Sequence, residues 1–257
     1  MIRSLSTFLL ILFLLPAAFS LYAQSHTGEY LKVTFFQVEK DDLTEFLDGV
    51  DSWKDFHQTK INADERIAWR LYRIPFSSSG SVWYNFVSVE IAANLNTMQS
   101  ADRNNTTSLK NEKDHQVKLA YSVHSEIWKT EADVFGDNTQ PVRYLNANFM
   151  YALPQTLQDY LYLETDIAMP IHQTQTDNER MVGWNFYRLI FPTGTAVAYN
   201  FITADHYSSL EQIEMGITRE VIREVHPDMD VDEFENFADS IRERVWSDLW
   251  ELIEFTD

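Results

Sequence analysis

The stretch HQTKINADERIAWRLYRIPFSSSGSVWYNF, residues 57–86, has a counterpart in HQTQTDNERMVGWNFYRLIFPTGTAVAYNF, residues 172–201. His57-Gln58-Thr59, Trp69, Tyr72-Arg73 and Tyr84-Asn85-Phe86 return as His172-Gln173-Thr174, Trp184, Tyr187-Arg188 and Tyr199-Asn200-Phe201, each 115 residues later. The constant spacing means that nothing has been inserted or deleted inside the block. A repeat of this period is one unit of ordinary domain size, so the 257-residue chain reads as two units.

Outward from the block, each unit reads the same way. Leu43, Phe46, Val50, Trp53 and His57 fall three or four apart, which predicts a helix with His57 on its buried stripe. Ile67–Ile74 and Val82–Val89 predict a hairpin around a Ser-rich turn holding Gly80. Tyr30–Val38 precedes them as a strand. Val123–Trp128 (VHSEIW) follows as a fourth strand and parallels Val245–Trp250 (VWSDLW). Residues 94–118 read as a polar helix with a solvated connection.

The second unit predicts a strand at Tyr144–Leu153 and a helix from Pro154, with Leu157, Leu161, Glu164, Ala168 and His172 on one face and a kink at Pro170. Val182–Phe191 and Thr195–Ala204 form its hairpin. Helices at Ser208–His226 and Asp230–Val245 and a strand at Ser247–Phe255 complete it.

The order β-α-β-β-α-β is ferredoxin-like and leaves one sheet face bare. Two fused copies can bury those faces against each other. The fold class is therefore α+β, with tandem ferredoxin-like repeats forming a pseudo-dimeric α+β barrel. The units span residues 24–134 and 144–257, joined by a linker at 135–143.

The segments WKDFHQTKINADERIAWRLYRIPF (residues 53–76) and WYNFVSV (residues 83–89) resemble the dimeric α+β-barrel superfamily, and within it NIPSNAP-like and EthD-like domains and exported bacterial relatives. The resemblance covers residues 30–255 as two copies. It implies the barrel fold and a range of activities: small-molecule monooxygenases, haem-dependent peroxidases, chlorite-decomposing enzymes and lactone isomerases. No catalytic signature of those enzymes is visible, so the resemblance assigns no catalytic residue.

Arg3, the apolar run from Phe8 to Leu15 and the small residues up to Ala23 predict a signal peptide cleaved before Gln24 and a periplasmic or secreted protein. The chain has no Cys, which removes disulfides, thiolate nucleophiles and Cys-ligated metals. Against 39 acidic residues stand 20 basic ones. Such a chain repels phosphate backbones and acidic lipid, so neither nucleic acid nor, after cleavage, membrane is an expected partner. A small-molecule ligand is, and a monomer or weak homodimer is the expected state.

His57 and His172 could act as general bases or as haem or metal ligands. Their place on an apolar stripe favours the other reading, a buried, structurally hydrogen-bonded histidine. Glu164 shares a helix face with His172, whereas the first unit has Gly49 at that place. The pair could be catalytic in the second unit alone, or Glu164 could pair with Arg188.

Trp69 and Arg73, like Trp184 and Arg188, alternate onto one strand face, expected to line the barrel interior. An inward Arg could grip an anion. It could also form a salt bridge to the other unit. Tyr84, Asn85, Tyr199 and Asn200 are further ligand-binding candidates, with core filling by Tyr as the alternative.

There is no HExxH, GxSxG, P-loop or GxGxxG, and DMDVDEFE (residues 228–235) reads as a helix-capping acidic run. No metal or cofactor is expected. The leading function is small-molecule binding in the barrel interior. A cofactor-independent oxygenase or isomerase, a haem protein, and an interaction module without a ligand stand as alternatives.

Overall fold

The computed structural model describes residues 26–77, 84–98, 120–136, 141–194 and 196–257. The leader with its cleavage site, the Gly80 turn and most of the 94–118 segment lie outside the described residues. The eight strands are β1 (Tyr30–Val38), β2 (Ala68–Ser77), β3 (Phe86–Ala92), β4 (Ala120–Phe135), β5 (Tyr144–Ala152), β6 (Gly183–Phe191), β7 (Phe201–Tyr207) and β8 (Arg242–Thr256). They close into an α+β barrel in the order β1-β3-β2-β8-β5-β7-β6-β4, every neighbour antiparallel.

Each half keeps the same internal order, β4-β1-β3-β2 and β8-β5-β7-β6. The halves join along two seams, β2 with β8 and β4 with β6. The repeat extends to register: Tyr72 faces Val87 and Arg73 faces Phe86, while Tyr187 faces Ile202 and Arg188 faces Phe201.

Strand side chains alternate between two faces, and here both faces are covered. The inner face packs Leu31, Val33 and Phe35 of β1 against their counterparts Leu145, Ala147 and Phe149 of β5, together with Tyr72, Tyr187, Trp128 and Trp250. The interior is thus filled by aromatic and aliphatic side chains.

The outer face carries the helices. Over the first half lie α1 (Leu43–Asp48) and α2 (Val50–Asn62), with Phe46 and Val50 packed on Trp69, Leu71 and Phe86. Over the second half lie α3 (Leu157–Tyr162), a π-helical turn (Leu163–Ala168) and α4 (Met169–Asp177). They are joined there by α5 (Leu210–Met215), α6 (Arg219–Val225) and α7 (Val231–Ile241). No helix among the described residues is long and apolar enough to cross a membrane.

Several elements depart from the sequence reading. The single helix expected after β1 is two, parted at Gly49. The kink expected at Pro170 is a π-helical turn just before it; Pro170 itself sits in the first turn of α4, where its missing N–H costs nothing. The helix expected over 208–226 is two, because Gly216 adopts φ +57° between them. The last helix stops at Ile241, so Val245 lies on β8. The acidic run does cap α7: the Asp230 carboxylate accepts from the backbone of Asp232 at 2.9 Å and Glu233 at 3.2 Å.

Candidate functional site

Trp69 and Trp184 do not line the barrel interior. Both lie on the outer, helix-covered face, fully buried. His57 stacks on Trp69 at 4.6 Å and 9°, and His172 on Trp184 at 4.7 Å and 11°. The shared His and Trp of the two copies are therefore one packing motif that fixes helix on sheet. Arg73 and Arg188 also point away from the interior. They sit half-exposed on the two seams, Arg73 paired with Glu251 and Arg188 with Glu131 at 3.0 Å. Each ion pair crosses to the other half, as the salt-bridge alternative expects.

Tyr84 and Tyr199 do face the interior. Their hydroxyls donate to buried carboxylates of the opposite half: Tyr84 to Asp248 at 2.6 Å, and Tyr199 to Glu126. Asn85 and Asn200 do not bind in the interior. The Asn85 amide accepts from the Val38 N–H and donates to the Val38 carbonyl, both at 2.9 Å. Asn200 does the same for Ala152, at 2.9 and 2.7 Å. Both asparagines clamp the ends of the first strand of their half.

Of the expected residues, the structure gathers three at one place: His172, Glu164 and Trp184 line a cavity of about 170 Å³ between the sheet and the helices of the second half. Asn148, Thr203 and Asp205 line it from the sheet, Arg242 and Arg244 from β8, and Ala168, Ile222 and Phe234 from the helices. The π-helical turn brings Glu164 onto this wall.

Burial holds His172 neutral, its pKa lowered to about 3. Burial pushes the Glu164 carboxyl up, while Arg242, 3.9 Å away, draws it back. The Trp184 indole N–H, His172 Nδ1 and Arg242 Nε have no hydrogen-bond partner among the described residues.

Asp205, which sequence reasoning passed over, is the sharpest difference between the halves. Its counterpart 115 residues earlier is Glu90. Burial raises the pKa of Glu90, but the charges of Lys32, His57 and Arg66 outweigh that and hold it low. Arg66 reaches Glu90 at 2.9 Å and Lys32 at 3.7 Å. In the second half Met181 takes the place of Arg66, and Asn146 that of Lys32.

Without those cations, burial pushes Asp205 up to about 6. Asn148 and Asn146 only partly offset this, donating to it at 3.1 and 3.4 Å. A position-by-position comparison of the copies is the signal that could have found Asp205. Among the described residues, no cluster of three or more His, Asp or Glu could hold a metal ion.

No family model matches the chain. No curated protein matches it either. Solved structures do. A provisionally named monooxygenase of Fusobacterium nucleatum is 10% identical, with TM-score 0.58 over 90% of this chain and 95% of that one. A provisionally named chlorite dismutase is 14% identical, with TM-score 0.53 over 89% and 96%. A chlorite dismutase variant from Candidatus Nitrospira defluvii in complex with cyanide is 11% identical, with TM-score 0.51 over 89% and 92%. At these identities the likeness is one of fold, and the fold is that of the dimeric α+β barrel.

Proposed function

We propose that the protein binds a small organic molecule in the cavity of its second half. The observation that carries this is the pair of buried donors, the Trp184 N–H and Arg242 Nε, without partners among the described residues on the cavity wall, whereas the first-half indole, Trp69, donates to Ser88. At about 170 Å³ the cavity is close to one of about 150 Å³ that takes up benzene, and smaller than the ~300–1,000 Å³ of drug-sized pockets.

The test is a thermal-shift screen with toluene, phenol, benzamide and benzoate. At least one should raise the melting temperature, and Ala168→Phe, which fills the cavity, should remove the effect. No shift with any of the four sinks the reading.

A second reading is an enzyme of the oxygenase or isomerase kind; one of the fold neighbours above is provisionally named a monooxygenase. It is favoured by Asp205, whose carboxyl near pH 6 suits proton transfer. Haem does not fit this cavity. His172 lies flat on Trp184, and the cavity is far too small for a porphyrin. Added haemin should give no Soret shift; a sharp Soret band at one equivalent would overturn this.

We further read each half as a ferredoxin-like repeat, supported by the shared strand order. The chain reads as exported, supported by Arg3 and the apolar run to Leu15. N-terminal sequencing of protein from the native host should begin near Gln24.

A further inference from the structure

The two histidine–tryptophan stacks are alike in geometry and differ in one hydrogen bond. In the first half the Trp69 N–H donates to Ser88 Oγ at 2.8 Å. In the second half Thr203 stands at the place of Ser88, but it is engaged elsewhere. Asn148 Nδ2 donates to Thr203 Oγ1 at 3.3 Å, and Ser247 holds Asn148 Oδ1 at 2.6 Å. The Trp184 N–H, on a residue with no exposed surface, is left without an acceptor among the described residues. Buried donors are normally satisfied, so an orphan beside a cavity marks the place of a missing acceptor.

The other polar groups on the wall fit an anionic acceptor. Arg242 Nε has no hydrogen-bond partner among the described residues, and Glu164 stands 3.9 Å from it, beyond hydrogen-bond reach. Arg244 lines the cavity beside it. Burial raises the pKa of both acids of the wall, Glu164 and Asp205, which weakens their hold on the neighbouring guanidinium groups as pH falls. The rest of the lining is apolar, with Leu163, Ile171, Ile222 and Phe234 placed to take a ring.

We propose that the ligand of this cavity is an aromatic carboxylate of about benzoate size, its carboxylate received by the Trp184 N–H and the Arg242 guanidinium. This rests on the reading of the cavity as a ligand site and names the ligand's class. The first half cannot bind the same way, because Ser88 already occupies its indole.

The test is titration calorimetry of the full chain with benzoate, benzamide and toluene. Benzoate should bind at least about tenfold more tightly than benzamide, the difference a charge-assisted hydrogen bond makes, and toluene weakest. Trp184→Phe and Arg242→Met should each weaken benzoate about tenfold or more, while Trp69→Phe leaves it unchanged. Thr34 pairs with Ser88 in the first half as Asn148 pairs with Thr203 in the second, so the double change Asn148→Thr with Thr203→Ser rebuilds the first-half arrangement and should also abolish binding.

If benzamide or toluene matches benzoate, the ligand site stands and the carboxylate inference falls. The inference also falls if benzoate affinity survives both Trp184→Phe and the rebuilding pair, two changes that act on the same donor by different routes. If none of the three compounds binds, the small-molecule reading itself falls.

Discussion

Two indoles in equivalent places carry opposite hydrogen-bond states, and their mutants should differ accordingly. Trp69→Phe removes a bond at 2.8 Å and strands Ser88, so beyond lost packing it should cost about 1–3 kcal/mol. Trp184→Phe removes only an unsatisfied donor and should lack that increment. Paired denaturant melts decide it, and equal losses would contradict the structure.

Acid should act through the histidines. His172 and His206 are buried neutral, each with a pKa near 3. Below pH 6.5 the unfolded chain gains protons that the folded one refuses. Stability should therefore fall as pH drops from about 6.5 toward 3, by about 1.4 kcal/mol per pH unit for each group. His172→Gln should remove roughly one group's share of that slope. Asp205 acts in the opposite sense. Its pKa is raised to about 6, so its contribution is full in acid and declines as pH rises from about 4 through 6. Asp205→Asn should abolish that decline.

At the scale of the element, the Asn clamps explain why Tyr-Asn-Phe is repeated. β1 and β5 each lose register near their ends, at Phe35/Phe36 on the β4 side and Phe149/Met150 on the β8 side. The asparagine amide supplies one acceptor and one donor to the strand backbone there, as a neighbouring strand would. Asn85→Ala and Asn200→Ala should each cost about 1–3 kcal/mol and by similar amounts. Amide exchange at Val38 and Ala152 should quicken in the respective variant. Exchange unchanged at these two amides would remove the clamp from the account.

At the scale of the molecule, the halves hold each other by different means inside and out. In the interior Tyr84 and Tyr199 donate to Asp248 and Glu126 across the pseudo-twofold. Trp128 adds a second bond to Glu126 at 2.7 Å. Asp248 is one methylene shorter, and the Trp250 N–H has no partner among the described residues. A double-mutant cycle of Tyr84→Phe with Asp248→Asn should show coupling of about 1 kcal/mol or more, since removing either partner desolvates the other for nothing. The seam ion pairs are half-exposed, so Arg188→Ala should cost no more than about 1 kcal/mol. A larger loss would mean that the seams, not the shared interior, join the halves.

The sequence by itself determined the repeat and the order of strands and helices along each copy, while the pairing register of the hairpins came from the structure. The order follows from periodicity and turn spacing, and the constant 115-residue offset carries it from one copy to the other. It also held the clue that Glu164 has no counterpart at Gly49. Tertiary structure decided which face was which. Strands apolar on both faces bear no mark of inside and outside, so Trp69, Trp184, Arg73 and Arg188 could be grouped correctly and still be assigned to the wrong side. It decided the site as well. A cavity under helices depends on how those helices pack, and the state of Asp205 depends on cations absent from places far off in the chain. Burial and charge act through space, whereas local pattern records only the neighbours along the strand or helix.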